Sequence, residues 1–145
     1  MPQSVRRALA ILEALARYPE GVGISDLARD VDLPNSTVHR LLATLRTGGH
    51  VAQDPISETY SLGLGIVVLA RRKLNGMPLR DLCLPTLTEL RDSTGETAHL
   101  VVLESNLAIC VASVESVKEM RLCSPVGGLN PLTCTAVGKV LLAHG

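Results

Sequence analysis

The stretch Ile24-Ser25-Asp26-Leu27-Ala28-Arg29-Asp30-Val31-Asp32-Leu33-Pro34-Asn35-Ser36-Thr37-Val38-His39-Arg40-Leu41-Leu42-Ala43-Thr44-Leu45 decides the fold. Ile24, Leu27, Ala28 and Val31 recur at helical spacing, and so do Val38, Leu41, Leu42 and Leu45, so each set marks the apolar face of one helix. Asp32-Leu33-Pro34 breaks the pattern between them. Ser25 with Asp26 suits the N-terminus of the first helix. Near Pro34 a second helix opens, at a position where a missing N–H costs nothing. This second helix, about Pro34–Thr47, carries Asn35, Ser36, Thr37, His39, Arg40, Thr44 and Thr47 opposite its apolar face, and Gly48-Gly49 ends it. Two helices joined by a tight turn, the second with small polar residues and an Arg outward, form a helix-turn-helix pattern.

Upstream, Val5, Ala8, Leu9, Leu12, Leu15 and Ala16 place another helix over Ser4–Arg17, with Ser4 as its expected N-cap and Tyr18-Pro19-Glu20-Gly21 as its stop. Downstream, Val51–Gln53 and Tyr60–Leu62 read as short strands around the turn-rich Asp54–Glu58, a hairpin of the size of a wing. Helical spacing returns from Leu64 to Leu74, runs into Arg71-Arg72-Lys73, and breaks at Asn75-Gly76-Met77-Pro78. The remainder predicts a helix over Leu79–Asp92 with Leu82, Leu87 and Leu90 inward, closed by Ser93-Thr94-Gly95. Strands are expected at Thr97–Leu103 and Ala108–Val114, with a third at Met120–Val126, then a loop over Gly127–Pro131 and a helix from Ala136 to Ala143.

The chain has 145 residues, 46% of them hydrophobic and 19% charged, enough apolar material for a packed core. Its aromatic residues are Tyr18 and Tyr60, with no Phe or Trp, which argues against reading bases on an aromatic platform. Formal net charge is zero, but residues 1–80 hold ten Lys/Arg against seven Asp/Glu and residues 81–145 four against seven. The first half is therefore the basic one. Cys83, Cys110, Cys123 and Cys134 show neither a CxxC pair nor zinc-finger spacing and read as small hydrophobes in a reducing compartment. Arg6-Arg7 before Ala8–Leu12 faintly resembles a leader, but Glu13 interrupts it and the helix continues. The longest apolar run, Leu62–Ala70, is too short to span a bilayer, and the chain reads as soluble and cytoplasmic. A catalytic reading needs a constellation that is not there: His99 has no nucleophile or carboxylate at a recognisable spacing, and His39, His50 and His144 stand apart from it. No metal or cofactor is expected.

The segments Ser4–Leu9, Ile24–Ala28, Leu33–Leu45 and Tyr60–Gly63, together with Gly127-Gly128, Pro131-Leu132 and Thr135–Ala143, resemble the IclR family of transcriptional regulators in content and order. That resemblance implies an α+β chain. Its parts would be a winged helix-turn-helix domain over 1–62, a linker helix over 63–76, and over 77–145 the first part of a GAF-like (profilin-like) α/β effector-binding domain. Family members continue further, so the resemblance also implies a truncated chain. It implies double-stranded operator DNA as partner, a small-molecule effector, often an organic or aromatic acid, and assembly as homodimers or dimers of dimers. The Leu64–Leu74 face would serve that assembly or pack on the wing. A competing reading is an interaction protein that dimerises with full-length relatives without an effector response of its own.

The chemistry of the outer helix face agrees. Asn35, Ser36, Thr37 and His39 are short enough to let a backbone approach the major groove, and Arg40 is the best candidate for a base, pairing bidentately with guanine O6 and N7. Asn35 suits adenine, and Thr37 a thymine methyl or a phosphate. The resemblance carries Arg7 and Ser25 over as phosphate contacts. Asp54 and Glu58 argue against phosphate binding by the wing tip, and Arg71-Arg72-Lys73 reads as a solvated helix end. For the effector, the resemblance implicates Leu122, Asn130, Ala136 and Val137, with Cys134 nearby. Thr133 stands where the family often has His.

Overall fold

The computed structural model describes residues 2–121 and 125–144, which form two compact units divided at residues 72/73. The first unit contains α1 (Gln3–Leu15), α2 (Ile24–Asp30), α3 (Asn35–Thr47), the strands β1 (Val51–Gln53) and β2 (Tyr60–Leu62), and the start of α4 (Gly65–Asn75). Ile11, Leu15, Leu27, Val38 and Leu42 are fully buried at the junction of α1, α2 and α3, with Val51 and Tyr60 closing the core from the strands. Burial of five such side chains, at roughly 1.5–3 kcal/mol each, is the main force holding the helices together. The buried stripe of α1 is Ile11, Ala14 and Leu15, whereas Val5 and Leu9, which the spacing set on the apolar face, are exposed.

α3 opens at Pro34 as expected, whereas the starts of α1 and α2 differ from expectation. Pro2, Gly23 and Pro34 occupy the cap positions of α1, α2 and α3, and none of the three helices has a side-chain cap. Ser4 and Ser25 lie one residue inside their helices rather than at the caps. Residues with extended backbone geometry, not hydroxyls, begin these helices.

β1 and β2 pair antiparallel, Val51 with Leu62 and Gln53 with Tyr60, as the alternation predicts. Val22 adds a bridge on the other side of Tyr60, with reciprocal backbone bonds of 2.9 and 2.8 Å. Gly21, at φ +89°, makes the turn that delivers it. The wing is thereby stitched back to the chain between α1 and α2. The other end of the wing is fixed by glycine packing. Gly63 N–H donates to His50 O (2.8 Å) and Gly65 N–H to Gly49 O (2.9 Å). A Cβ on Gly63 or Gly65 would stand 2.3 or 2.6 Å from that Gly49 carbonyl oxygen, so only glycine admits the approach.

The second unit holds α5 (Pro78–Thr94), the strands β3 (Ala98–Glu104), β4 (Leu107–Val114) and β5 (Leu129–Asn130), and α6 (Ala136–His144). The sheet order is β3-β4-β5, all antiparallel. Ser105 and Asn106, at φ +51° and +67°, make the tight hairpin turn between β3 and β4. Gly95, at φ +70°, terminates α5.

Three expectations are corrected here. On α5 Leu87 is buried, but Leu82 is 76% exposed and Leu90 is 48% exposed. The inward stripe runs through Cys83, Leu84 and Leu87, and five residues of helix turn Leu82 well away from Leu87. Among the described residues the third strand of the sheet is Leu129–Asn130, read above as loop. The described parts of that segment are not strand, and Leu122–Ser124 lie outside the described residues. Cys110 is buried as a small hydrophobe, whereas Cys134 is exposed.

Among the described residues, no helix is long and apolar enough to cross a membrane, and no three His, Cys, Asp or Glu side chains gather as a metal ion would require.

Candidate nucleic-acid interface

α3 buries Val38 and Leu42 and turns its other side to solvent. Asn35, Ser36, His39 and Arg40 are exposed and Thr37 is half-buried. Ser36, Arg40, Ala43 and Thr47 share one face, with small side chains above and below the guanidinium, so the helix backbone approaches a surface closely while Arg40 reaches beyond it. Ala43 was not singled out from the sequence; its place one turn after Arg40 was the available signal. Among the described residues no hydrogen bond or ion pair engages the Arg40 guanidinium. The Thr44 and Thr47 hydroxyls donate back to the carbonyls of Arg40 (3.2 Å) and Ala43 (3.1 Å), which commits them within the helix.

Ser25 and Asn35, ten residues apart, meet where the turn folds back: the Asn35 amide donates to Ser25 Oγ at 3.4 Å. Arg29, beside them, is paired with Asp26 at 3.0 Å. Arg7 is half-buried in the second turn of α1, and no hydrogen bond joins it to Ser25 or Asn35.

The wing is tied to α3 by a contact that sequence rules do not reveal. The Arg46 guanidinium donates to Gln53 Oε1, and the Gln53 amide reaches Glu58 O at 3.5 Å. At the tip, Asp54 Oδ1 accepts the backbone N–H of both Ile56 and Ser57 at 2.8 Å, and the Ser57 and Thr59 hydroxyls bond to each other at 2.8 Å. Those backbone donors hold the Asp54 carboxyl below its ordinary value of 3.8. Because the folded value is the lower one, the stabilisation is complete above that ordinary value and is lost as pH falls through the depressed one. On acid titration the Ile56 and Ser57 amide protons are expected to move together with a midpoint below 3.8. Two-dimensional amide spectra test this, and amides that stay still while Asp54 protonates would contradict it. At the opposite end of the helical layer, Tyr18 donates its phenol to Asp30, which keeps its proton on above the usual value of 10.0.

In the second unit Asn130 lies on β5, where it lines a shallow hollow of about 280 Å³ together with the hairpin tip Asn106–Ala108 and the backbone around Pro131. Ala136 and Val137 occupy the first turn of α6 and do not line that hollow; Leu122 lies outside the described residues. Thr135, just before α6, accepts the Gly138 N–H at 3.0 Å and donates to Pro131 O at 2.6 Å. One of the N–H groups expected to face a carboxylate is therefore already capped by this chain.

The family profile described as "IclR helix-turn-helix domain" matches residues 4–55, and "Bacterial transcriptional regulator IclR C-terminal" matches residues 71–145. The HTH-type transcriptional regulator KdgR of Escherichia coli is 39% identical over 140 residues, covering 97% of this chain and 53% of KdgR. The chain spans about half the length of the curated relatives it matches. Among solved structures, Pseudomonas aeruginosa HmgR superposes with a TM-score of 0.74 at 32% identity, over 98% of this chain and 61% of that one. An IclR homologue from Microbacterium hydrocarbonoxydans, complexed with 4-hydroxybenzoate, gives a TM-score of 0.78 at 26% identity, over 98% of this chain and 59% of its own. Profiles matching both units in order, a relative at this identity and a shared fold together assign it: the chain belongs to the IclR family of bacterial transcriptional regulators.

Proposed function

We propose that this chain acts as a cytoplasmic, sequence-specific DNA-binding regulator of transcription, with α3 in the major groove. The observation that carries the reading is the exposed polar face Asn35–Arg40, set on a helix whose opposite side is locked into a three-helix core. In this reading Arg40 pairs with guanine, Asn35 with adenine, and Ser36, Thr37 and His39 line the approach. Arg7 and Ser25 hold phosphates, which position the helix without specifying sequence.

Three further parts belong to the same proposal. Residues 1–62 form the winged helix-turn-helix domain, 63–76 the linker helix, and 77–145 the first part of a GAF-like effector domain. That domain takes a small organic acid, a class to which the 4-hydroxybenzoate of the Microbacterium homologue belongs. The regulator assembles as a homodimer or dimer of dimers, and α4, which has no buried residue, supports that assembly with its exposed Val67, Val68 and Leu69.

Selection of duplexes from a random library by the 145-residue chain, followed by mobility shifts at fixed salt, tests the reading. The selected duplex is expected to bind at least ~10³-fold tighter than a scrambled one. Equal binding would remove sequence-specific recognition from the account.

A further inference from the structure

The outermost side chain of the wing is apolar: Ile56 is 92% exposed at the tip. It follows Pro55, whose ring fixes its own backbone, and the Asp54 carboxylate holds the turn by accepting the N–H of Ile56 and of Ser57. An exposed aliphatic side chain on a turn this ordered is presented rather than left loose, and little entropy remains to be lost on contact. The wing is also tied to α3 through Arg46, Gln53 and Glu58, so a duplex that seats α3 receives the wing in a fixed position.

Charge narrows what the tip can touch. No Lys or Arg occurs between Arg46 and Arg71, and the tip carries Asp54 and Glu58. Asp54 caps the turn through one oxygen yet stays exposed, so it and Glu58 both present negative charge at the tip. Such a wing brings no Lys or Arg to the phosphates, and the contact made by Ile56 itself is apolar and insensitive to salt. The minor groove, about 6 Å wide, admits a turn tip but not a helix. Its floor differs between base pairs in one group, the guanine 2-amino donor, which occupies space and which an isoleucine cannot satisfy.

We infer that Ile56 packs into the minor groove flanking the site read by α3 and makes that flank selective for A·T over G·C steps. The inference rests on the DNA reading proposed above, and it adds a specificity residue of a different chemical kind. Aliphatic side chains are among those that enter minor grooves at easily opened steps.

The test uses the selected duplex in three forms, with the flank as A·T, as G·C, and as inosine·C, which lacks the 2-amino group. The wild-type chain is expected to lose about tenfold in affinity on the G·C flank and to recover on inosine·C. Ile56→Ala is expected to bind all three forms equally, with an unchanged salt slope. The side chain lies in solvent, so the variant keeps its fold, checked by circular dichroism. If the wild type ignores the flank, or Ile56→Ala keeps the preference, the inference is overturned while the reading of α3 stands. If the wild type selects no sequence at all, the DNA reading falls and the inference falls with it.

Discussion

Arg40→Ala is expected to reduce discrimination between the selected operator and single-base variants at one position by roughly 1–3 kcal/mol, about 5- to 150-fold. The fold is expected to remain intact, because the guanidinium has no partner within the described chain and its loss strands no buried group. Arg40→Lys separates charge from geometry: it keeps a cation for the phosphates but lacks the planar fork that grips O6 and N7 together. The salt slope of binding should therefore stay near wild type in the lysine variant while the base preference disappears. Mobility shifts against a small operator panel at two salt concentrations, set beside thermal unfolding, read both quantities. Unchanged discrimination in Arg40→Ala would take this residue out of the interface and leave Asn35 as the next candidate.

The second large effect concerns the scaffold. Leu27 is fully buried where α2 meets α1 and α3, and Leu27→Ala is expected to cost about 2–5 kcal/mol. Against a typical domain stability of roughly 5–15 kcal/mol, that loss is a large share of what holds α3 in place. Both aromatic residues, Tyr18 and Tyr60, belong to the first unit, and the chain has no Trp or Phe. Tyrosine fluorescence thus follows the unfolding of this unit without contribution from the second. The expected outcome is an early tyrosine transition with loss of operator binding at 37 °C. A midpoint equal to wild type would show that the three helices do not depend on this contact.

The comparison of these two residues shows what was legible in the amino-acid sequence. Leu27 falls on the apolar face of α2 and Arg40 on the polar face of α3, and the periodicity of each helix alone sorted them into core and surface. Short-range signals succeeded elsewhere too: Gly48-Gly49 closed α3, and β1 and β2 fell where the alternation set them. Failures came where the outcome depends on a partner distant in the chain. Leu82 and Leu90 recur at helical spacing, but spacing does not say which stripe the sheet will cover. Leu129–Asn130 became strand because Ala108 and Ile109 lie open beside it, a fact of register and not of β-propensity. The Val22–Tyr60 bridge is likewise long-range, and the Arg46–Gln53 bond, though only seven residues apart, depends on how β1 folds back beside α3; no local rule anticipates either. In the candidate interface the exposed face of α3 was readable. The bonding of Asp54 to the backbone of the turn, which orders the wing tip, was not.

The contact between Gly49 and the pair Gly63 and Gly65 has a mechanical meaning. The carbonyl that ends the turn after α3 also accepts the N–H of the first residue of α4, at a separation that admits no extra atom. A joint of this kind has no slack. A rotation of α4 about this joint is therefore expected to press directly on the turn that ends α3.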